Sequence, residues 1–201
     1  MKNLLIIFTR NPELGKVKKR LAKTIGDKPA LNIYKFLLQH TKQISETGNF
    51  DKAVYYSEKV LVNDIWNLKT FQKYVQVGAD LGERMQNAFQ QAFNNNYQKV
   101  VIIGSDLYDL QGHHLSRAFK SLSYSDAVIG PAQDGGYYLL GLKKVIPAIF
   151  KNKSWGSSTV RQDTLNNLTN TSVYFLDMLN DIDIFEDIKN NPVFDKFYKK
   201  R

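Results

Sequence analysis

The chain has 201 residues, of which 43% are apolar and none is cysteine. This composition excludes a disordered chain, disulfide bonds and thiolate metal sites, and the length fits a single domain with a substantial core. Lys and Arg (28) outnumber Asp and Glu (19), which predicts an anionic partner. No apolar segment reaches the ~20 residues that a membrane-spanning helix needs, so we expect a soluble, cytoplasmic protein.

Strand-like and helix-like segments alternate along the first half of the chain. The apolar run at 3–8 predicts a strand that is buried on both faces. Apolar residues at helical spacing predict helices at 29–47 and 81–93. Between these two helices, strands are predicted at 52–57 and 72–77.

The second half of the chain continues the alternation. Strands are predicted at 99–103, 127–129, 137–142 and 173–175, and helices at 113–122, 157–168 and 184–191. This pattern predicts one α/β domain over residues 1–201, with a Rossmann-like, mostly parallel sheet and helices on both faces. The basic tail at about 192–201 is expected to be mobile. Ligands of such sheets bind at the carboxyl ends of the strands, so residues directly after strands are the candidates for function.

A basic loop at 9–21, TRNPELGKVKKRL, follows the first predicted strand. A turn with Pro12 and Gly15 before a basic helix start can place N–H groups and cationic side chains around phosphate oxygens. The loop matches neither GxGxxG nor GxxxxGK(S/T), which excludes Rossmann dinucleotide and Walker-type sites. A solvated basic face would give a similar string, so both interpretations stay open at this point.

Two acidic segments also follow strand-like runs. Asp106 comes directly after the strand predicted at 99–103, where its carboxylate could hold Mg²⁺ or Mn²⁺ and bridge to a diphosphate. Asp183, in the segment Asp181-Ile182-Asp183, could be a second ligand of the same ion. The alternative for each residue is helix capping. For Asp106 this alternative is weakened because Asp109 lies nearer to the next predicted helix, whereas for Asp183 it is strengthened by the capping-box spacing to Glu186.

A glycine-rich turn, GPAQDGGYY at 130–138, separates two predicted strands. Paired glycines permit positive φ angles and close approach of the backbone, as an Asp-Gly hairpin also requires. A carboxylate, Asp134, together with two tyrosines would suit sugar hydroxyls and sugar faces. The sequence therefore predicts either a plain hairpin or a sugar-binding turn.

The segments FTRNPELGKVKKRLA, DLGERMQNAF, VVIIGSDLYDL, IGPAQDGGYYLLGL, WGSSTVRQDTL and DIDIFEDI run in this order from Phe8 to Ile188. Together they resemble a bacterial family of nucleotide-diphospho-sugar transferases or glycosyltransferases, some of whose members are associated with arsenosugar biosynthesis. The resemblance implies the GT-A fold. More distant relatives in fold include sugar-phosphate, molybdenum-cofactor and phospholactate nucleotidyltransferases. Lys19, Tyr108 and the pair Ile184-Phe185 depart from the family pattern, which leaves the shape of an acceptor pocket open.

The resemblance also implies a role for each matching position. The nucleotide would be bound by Arg10, Gly15, Lys16, Lys18, Arg20, Asp80, Leu81 and Gly82, with the last three near the base. Asp106 and Asp183 would hold Mg²⁺ or Mn²⁺. The sugar or acceptor side would be formed by Asp134, Gly135, Gly136, Trp155, Ser158 and Thr159.

The resulting hypothesis is a metal-dependent glycosyltransferase that moves a sugar from a nucleotide-sugar donor to a small-molecule or glycan acceptor. Lys18 and Arg20 would stabilise the leaving diphosphate, and Asp134 would be the general base. One alternative is a nucleotidyltransferase that joins a phosphorylated small molecule to a nucleoside triphosphate, although such relatives usually have a glycine-richer first loop. A second is a non-enzymatic nucleotide- or nucleic-acid-binding module, although no nucleic-acid recognition motif accompanies the charge.

Overall fold

The computed structural model describes residues 2–199, and seven strands of this part of the chain form one sheet. The strands are β1 (Asn3–Thr9), β2 (Asp51–Tyr56), β3 (Phe71–Val75), β4 (Lys99–Ile103), β5 (Ala127–Pro131), β6 (Tyr137–Leu142) and β7 (Val173–Phe175). Their order across the sheet is β3-β2-β1-β4-β6-β5-β7. Strand β6 runs antiparallel to β4 and β5, and the other pairs are parallel. The predicted single, mostly parallel sheet is confirmed.

Helices cover both faces of this sheet. They are α1 (Lys19–Ile25), α2 (Asp27–Glu46), α3 (Leu81–Asn94), α4 (Gly112–Ser121), α5 (Val160–Asn166) and α6 (Pro192–Tyr198), with short 3₁₀ turns at Pro147–Phe150 and Phe185–Asp187. Within residues 2–199, no helix combines the length and the apolar character that crossing a membrane requires.

The sheet separates two apolar cores, and the residues of β1 alternate between them. Leu5 and Ile7 pack on the side of α2 and α4, whereas Leu4 and Ile6 pack on the side of α3. All four side chains are buried. Burial on both faces explains why β1 is a continuous apolar run and not an alternating one.

The carboxyl end of the chain differs from its prediction. The helix predicted at 184–191 is wrong, because only a 3₁₀ turn forms at Phe185–Asp187, and the last helix begins at Pro192. Proline is favoured in the first turn of a helix, and the Asn191 side chain accepts a hydrogen bond from Val193 N at 3.2 Å. Phe194 is fully buried against α1 and α2, so residues 192–198 are a packed helix and not a mobile tail.

Strand order fixes the place where a ligand can enter. The chain passes from β1 to β2 on one side, and after β3 it returns to β4 on the other side of β1. This reversal of direction opens a crevice between the loops that follow β1 and β4, as is typical of open α/β sheets. The basic loop at 9–21 and Asp106 follow those two strands.

Candidate functional site

A cleft of about 760 Å³ opens at the carboxyl ends of β1 to β4. Its lining is rich in cations, and these are Arg10, Lys16, Lys18, Lys19, Arg20 and Arg84. Asp106, Asp183 and Glu58 supply its carboxylates. The fold therefore brings the two predicted metal ligands and the predicted phosphate-binding side chains into one cavity, although they come from distant parts of the chain.

Lys18 and Asp106 form an ion pair inside this cleft. The Lys18 ammonium lies 2.9 Å from Asp106 Oδ2, and the Lys18 side chain is only 5% exposed. Burial by itself would lower the pKa of Lys18, but the carboxylates of Asp106, Asp183 and Asp181 together outweigh burial and raise the pKa, so this lysine is charged. Lys18 also has a left-handed backbone with φ 47°, which is strained for a residue with a side chain.

Asp183 pairs with Arg20 at 2.7 Å, and neither Asp183 nor Asp106 caps a helix. The N–H groups of Asp183 and Ile184 donate to the Asp187 side chain at 2.8 and 2.7 Å, which excludes the alternative of an Asp183–Glu186 capping box. At the start of helix α4, the N–H of Gln111 donates to His114 Nδ1 at 3.0 Å. Capping therefore accounts for neither carboxylate.

Asp181 is a third carboxylate at this edge, and we did not predict a role for it. Burial, followed by the negative charges of Asp106 and Asp134, raises the pKa of Asp181 to about 6, against the opposing effect of Lys18. The backbone N–H of Ile182 donates to Asp106 O at 3.1 Å, which holds the two segments together. Alternate residues of an extended segment share a face, and this rule could have drawn attention to Asp181 beside Asp183.

Carboxylate oxygens at this edge are the kind of donor that a hard divalent cation takes. Within residues 2–199, however, no three Asp, Glu or His side chains converge closely enough to enclose an ion. The donor set thus fits a cation such as Mg²⁺, which commonly binds one or two carboxylates and completes its shell with water and substrate phosphates. It does not fit a closed structural site.

Buried polar side chains fix the first loop in position. Tyr34 Oη accepts a hydrogen bond from Arg10 N at 2.9 Å and lies 3.1 Å from Thr9 Oγ1 and 3.2 Å from Ser105 Oγ. Tyr34 therefore links the ends of β1 and β4 under the cleft.

Asn11 joins the first loop to the loop after β2. Its Oδ1 accepts hydrogen bonds from the N–H groups of Glu58 at 3.0 Å and Lys59 at 3.4 Å, and its Nδ2 donates to Lys59 O at 2.8 Å. This contact has no local sequence signal, because the partners of Asn11 lie 47 and 48 positions further along the chain.

We expect Asn11→Ala to lower the free energy of unfolding by about 2 kcal/mol, because the buried Asn11 side chain, which is 3% exposed, makes three hydrogen bonds to the backbone of Glu58 and Lys59 that the substitution removes. Urea unfolding measures this change. Asn170, which is exposed, provides a matched control, and Asn170→Ala should alter stability by less than about 0.5 kcal/mol. Equal effects of the two substitutions would contradict the assigned role of Asn11.

Of the three residues predicted to lie near a base, only Leu81 lines the cleft, while Asp80 is exposed and Gly82 is buried. Leu81 lines the cleft and is 43% exposed. Asp80 caps α3, since its Oδ1 accepts the N–H of Glu83 at 2.8 Å. Gly82 is packed so tightly that a Cβ there would lie 2.3 Å from Phe150 O and 2.5 Å from the Trp155 ring. Gly15 has φ 73° at the turn of the first loop.

The glycine-rich turn forms a hairpin between β5 and β6, beside the cleft and not in its lining. Gly135 contacts the backbone of Ser158, and its carbonyl accepts a hydrogen bond from Arg161 N at 3.1 Å. Asp134 is exposed and its Oδ1 accepts the N–H of Gly136 at 2.8 Å. The Thr159 hydroxyl donates a hydrogen bond to the Asp163 side chain at the start of α5. Trp155 packs against the core on the side of α3.

Solved structures share this fold. A protein of Desulfovibrio desulfuricans G20, provisionally named as a nucleotide-diphospho-sugar transferase, is 30% identical, with a TM-score of 0.85 over 98% of this chain and 93% of its own. The manganese complex of Rv0371c from Mycobacterium tuberculosis H37Rv is 12% identical, with a TM-score of 0.57 over 94% of this chain and 97% of its own. At that level of identity the second likeness shows the fold alone.

Sequence comparison gives a curated relative and a family. The 2-phospho-L-lactate guanylyltransferase of Methanocaldococcus vulcanius is 25% identical over 144 residues, which are 70% of this chain. The chain spans only 61% of the length of that relative. The neighbours in sequence and structure are thus nucleotide-diphospho-sugar transferase-like proteins and nucleotidyltransferases. With a family model matching residues 40–157, the chain belongs to the family described as uncharacterized protein conserved in bacteria (DUF2064).

Proposed function

We propose that this protein is a metal-dependent glycosyltransferase that uses a nucleotide-diphosphate sugar as donor. The observation that carries the proposal is the convergence of Asp106 and Asp183 with the cations of the first loop in one cleft at the reversal of strand order. A diphosphate needs compensation for several negative charges, and this cleft combines oxygen donors for a cation with positively charged side chains.

The first loop and α1 bind the phosphates in this proposal. Lys16 and Arg20 are exposed at the cleft, while the buried Lys18 extends its ammonium to the carboxylate of Asp106. Asp106 and Asp183 hold Mg²⁺ or Mn²⁺, with Asp181 beside them. When bound, the ion neutralises charge that develops on the leaving diphosphate. Lys18 and Arg20 stabilise the same charge from the protein side.

The opposite side of the site receives the sugar and the acceptor. Asp134 is exposed on its turn, and its negative charge, after burial and the charge of Asp106, contributes to the raised pKa of Asp181. We assign Asp134 as the general base that orients or deprotonates an acceptor hydroxyl. Gly135, Gly136, Ser158 and Thr159 form the wall behind it, and Trp155 supports that wall from the core. Leu81 contacts the base, and Asp80 and Gly82 shape its surroundings.

Nucleotidyl transfer is the second candidate, and the relationship to a guanylyltransferase favours it. In that reaction a phosphorylated substrate attacks the α-phosphate of a nucleoside triphosphate and pyrophosphate leaves. The same cations would then bind a longer phosphate chain. A non-enzymatic binding module is the third candidate, and it predicts metal-independent binding that weakens steeply with salt.

A thermal-shift screen of nucleotide sugars and nucleoside triphosphates, each with and without Mn²⁺, separates these candidates. Stabilisation by UDP- or GDP-sugars only when the metal is present is the expected result. A response confined to triphosphates would replace glycosyl transfer by nucleotidyl transfer. Nucleotide binding that needs no metal and disappears at high salt would favour the non-enzymatic module.

Asp106→Asn tests the metal ligand directly. We expect it to abolish the Mn²⁺-dependent part of the thermal shift, because it removes the carboxylate while keeping the size of the side chain. Asp109, which is exposed and lies outside the cleft lining, supplies the control substitution Asp109→Asn. An undiminished metal response in Asp106→Asn would refute the assignment.

A further inference from the structure

A second cavity, of about 380 Å³, lies next to the cleft on the side of α2. It is bounded by the first loop, by α2 and by the segment that connects β2 to β3. Its wall is mostly apolar and is formed by Leu38, Tyr56, Leu61, Ile65 and Trp66. The volume is within the usual range for small-molecule sites, which are apolar concavities with a few fixed polar groups.

Buried bonds hold the outer wall of this cavity in place. Asp64 accepts hydrogen bonds from the Tyr56 hydroxyl and from Trp66 N, the latter at 2.9 Å, and it forms an ion pair with Lys73 at 2.7 Å. The side chains of Lys73 and Asp64 are only 3% and 12% exposed. Lys73 also donates to Leu61 O at 2.8 Å. The connecting segment is therefore anchored by a buried ion pair, and the cavity is a built feature.

The charged groups at this cavity that are not paired within the part of the chain that the structure describes are positive. The carboxylate of Asp64 is satisfied by Lys73, Tyr56 and Trp66, so it does not repel an anion. Arg10 and Lys35 line the cavity, both are exposed, and neither forms an ion pair with a carboxylate within residues 2–199. An occupant must match an apolar wall and a cationic rim together.

We propose that this cavity is a second binding site and that it takes a small amphipathic carboxylate, with its apolar body against the partly exposed Leu61 and Ile65, beside the buried ring of Trp66. The carboxylate of this ligand meets the cations of Lys35 and Arg10. Thr9 and Arg10 line both cavities, so the ligand lies directly beside the nucleotide cleft without entering it. The inference does not rest on the reaction proposed above, although the two cavities share the Arg10 side chain.

Trp66 makes the site measurable, because the chain has two tryptophans and only Trp66 lines this cavity. In the full chain carrying Trp155→Phe, Trp66 is the sole tryptophan, and octanoate serves as the probe. We expect a saturable change of Trp66 fluorescence that fits one site. Replacing Lys35 by Gln should weaken octanoate binding about fivefold or more, since it removes a charge-assisted contact. The exposed Lys120 on α4, outside both cavities, gives the matched control Lys120→Gln, which should bind octanoate as the parent does.

1-Octanol, which has the same tail and no charge, completes the comparison and should bind at least about fivefold more weakly than octanoate. The proposal is overturned if octanoate gives no saturable signal, if octanol binds equally well, or if Lys35→Gln and Lys120→Gln behave alike. Stabilisation by nucleotides is read separately by thermal shift, so failure here leaves the proposed function standing, and the reverse also holds.

Discussion

Lys18→Met is expected to lower the stability of the metal-free protein by about 2 kcal/mol, because it leaves the Asp106 carboxylate without its buried partner. Removing one member of a buried ion pair commonly costs roughly 3–5 kcal/mol, and the smaller figure reflects that Asp106 is 35% exposed and partly screened by solvent. For a chain of this size, the midpoint of thermal unfolding should fall by about 4–8 °C.

The same substitution should enlarge the response to Mn²⁺. The Lys18 ammonium lies against the carboxylate that we assign to the metal, and like charges repel at this distance. Without that ammonium, a divalent cation becomes the main compensation for Asp106 and Asp181. We therefore expect Mn²⁺ to raise the unfolding temperature more in Lys18→Met than in the unmodified protein, and to restore most of the lost stability.

The neighbouring Lys19 provides the control, since it also lines the cleft but is exposed and forms no ion pair within residues 2–199. Lys19→Met should change stability by less than about 0.5 kcal/mol and leave the size of the Mn²⁺ response unchanged. A Mn²⁺ response in Lys18→Met that is equal to or smaller than that of the unmodified protein would show that Lys18 and the cation do not share Asp106.

Much of the fold could be predicted because its strongest signals are local. The strands at Lys99–Ile103, Tyr137–Leu142 and Val173–Phe175 have their predicted bounds, and β1 extends its prediction by one residue. Each is a short run of mostly β-branched, aromatic or leucine residues. The error at 184–191 has a physical cause. Ile184 and Ile188 have helical spacing, but they flank a 3₁₀ turn at Phe185–Asp187, and only Ile188 is fully buried.

The site could be predicted only for residues that directly follow a predicted strand. Asp106 and the first loop follow β4 and β1, so the rule for α/β sheets was enough to place them at one edge. Asn11 and Tyr34 could not be found in this way, because their roles depend on contacts across 24 to 71 positions of the chain. Asp181 lies two residues before Asp183 in the same acidic segment, so both had the same sequence pattern. Only the packing of this segment against the one that contains Asp106 distinguishes their surroundings. The chemical roles of all these residues stay predictions.

The second large effect is expected at Gly135, where the hairpin meets the segment before α5. Gly135 has φ 92°, and a Cβ at this position would lie 2.1 Å from Ser158 O and 2.7 Å from two other backbone atoms of Ser158. Backbone atoms cannot rotate away as the end of a side chain can. Gly135→Ala must therefore separate the turn from Ser158 and strain the hydrogen bond from Arg161 N to Gly135 O.

We expect Gly135→Ala to cost about 3–5 kcal/mol, the sum of a left-handed backbone penalty of roughly 1–2 kcal/mol and the cost of displacing packed backbone. Gly156 isolates the first contribution, because its φ is 87° and a Cβ there would meet nothing within 4 Å. Gly156→Ala should cost only about 1–2 kcal/mol. Urea unfolding of both variants gives the difference, which measures the contact between the turn and Ser158. If the two substitutions are equally destabilising, the turn does not rest on that segment, and the proposed wall behind Asp134 is not formed by Ser158 and Thr159.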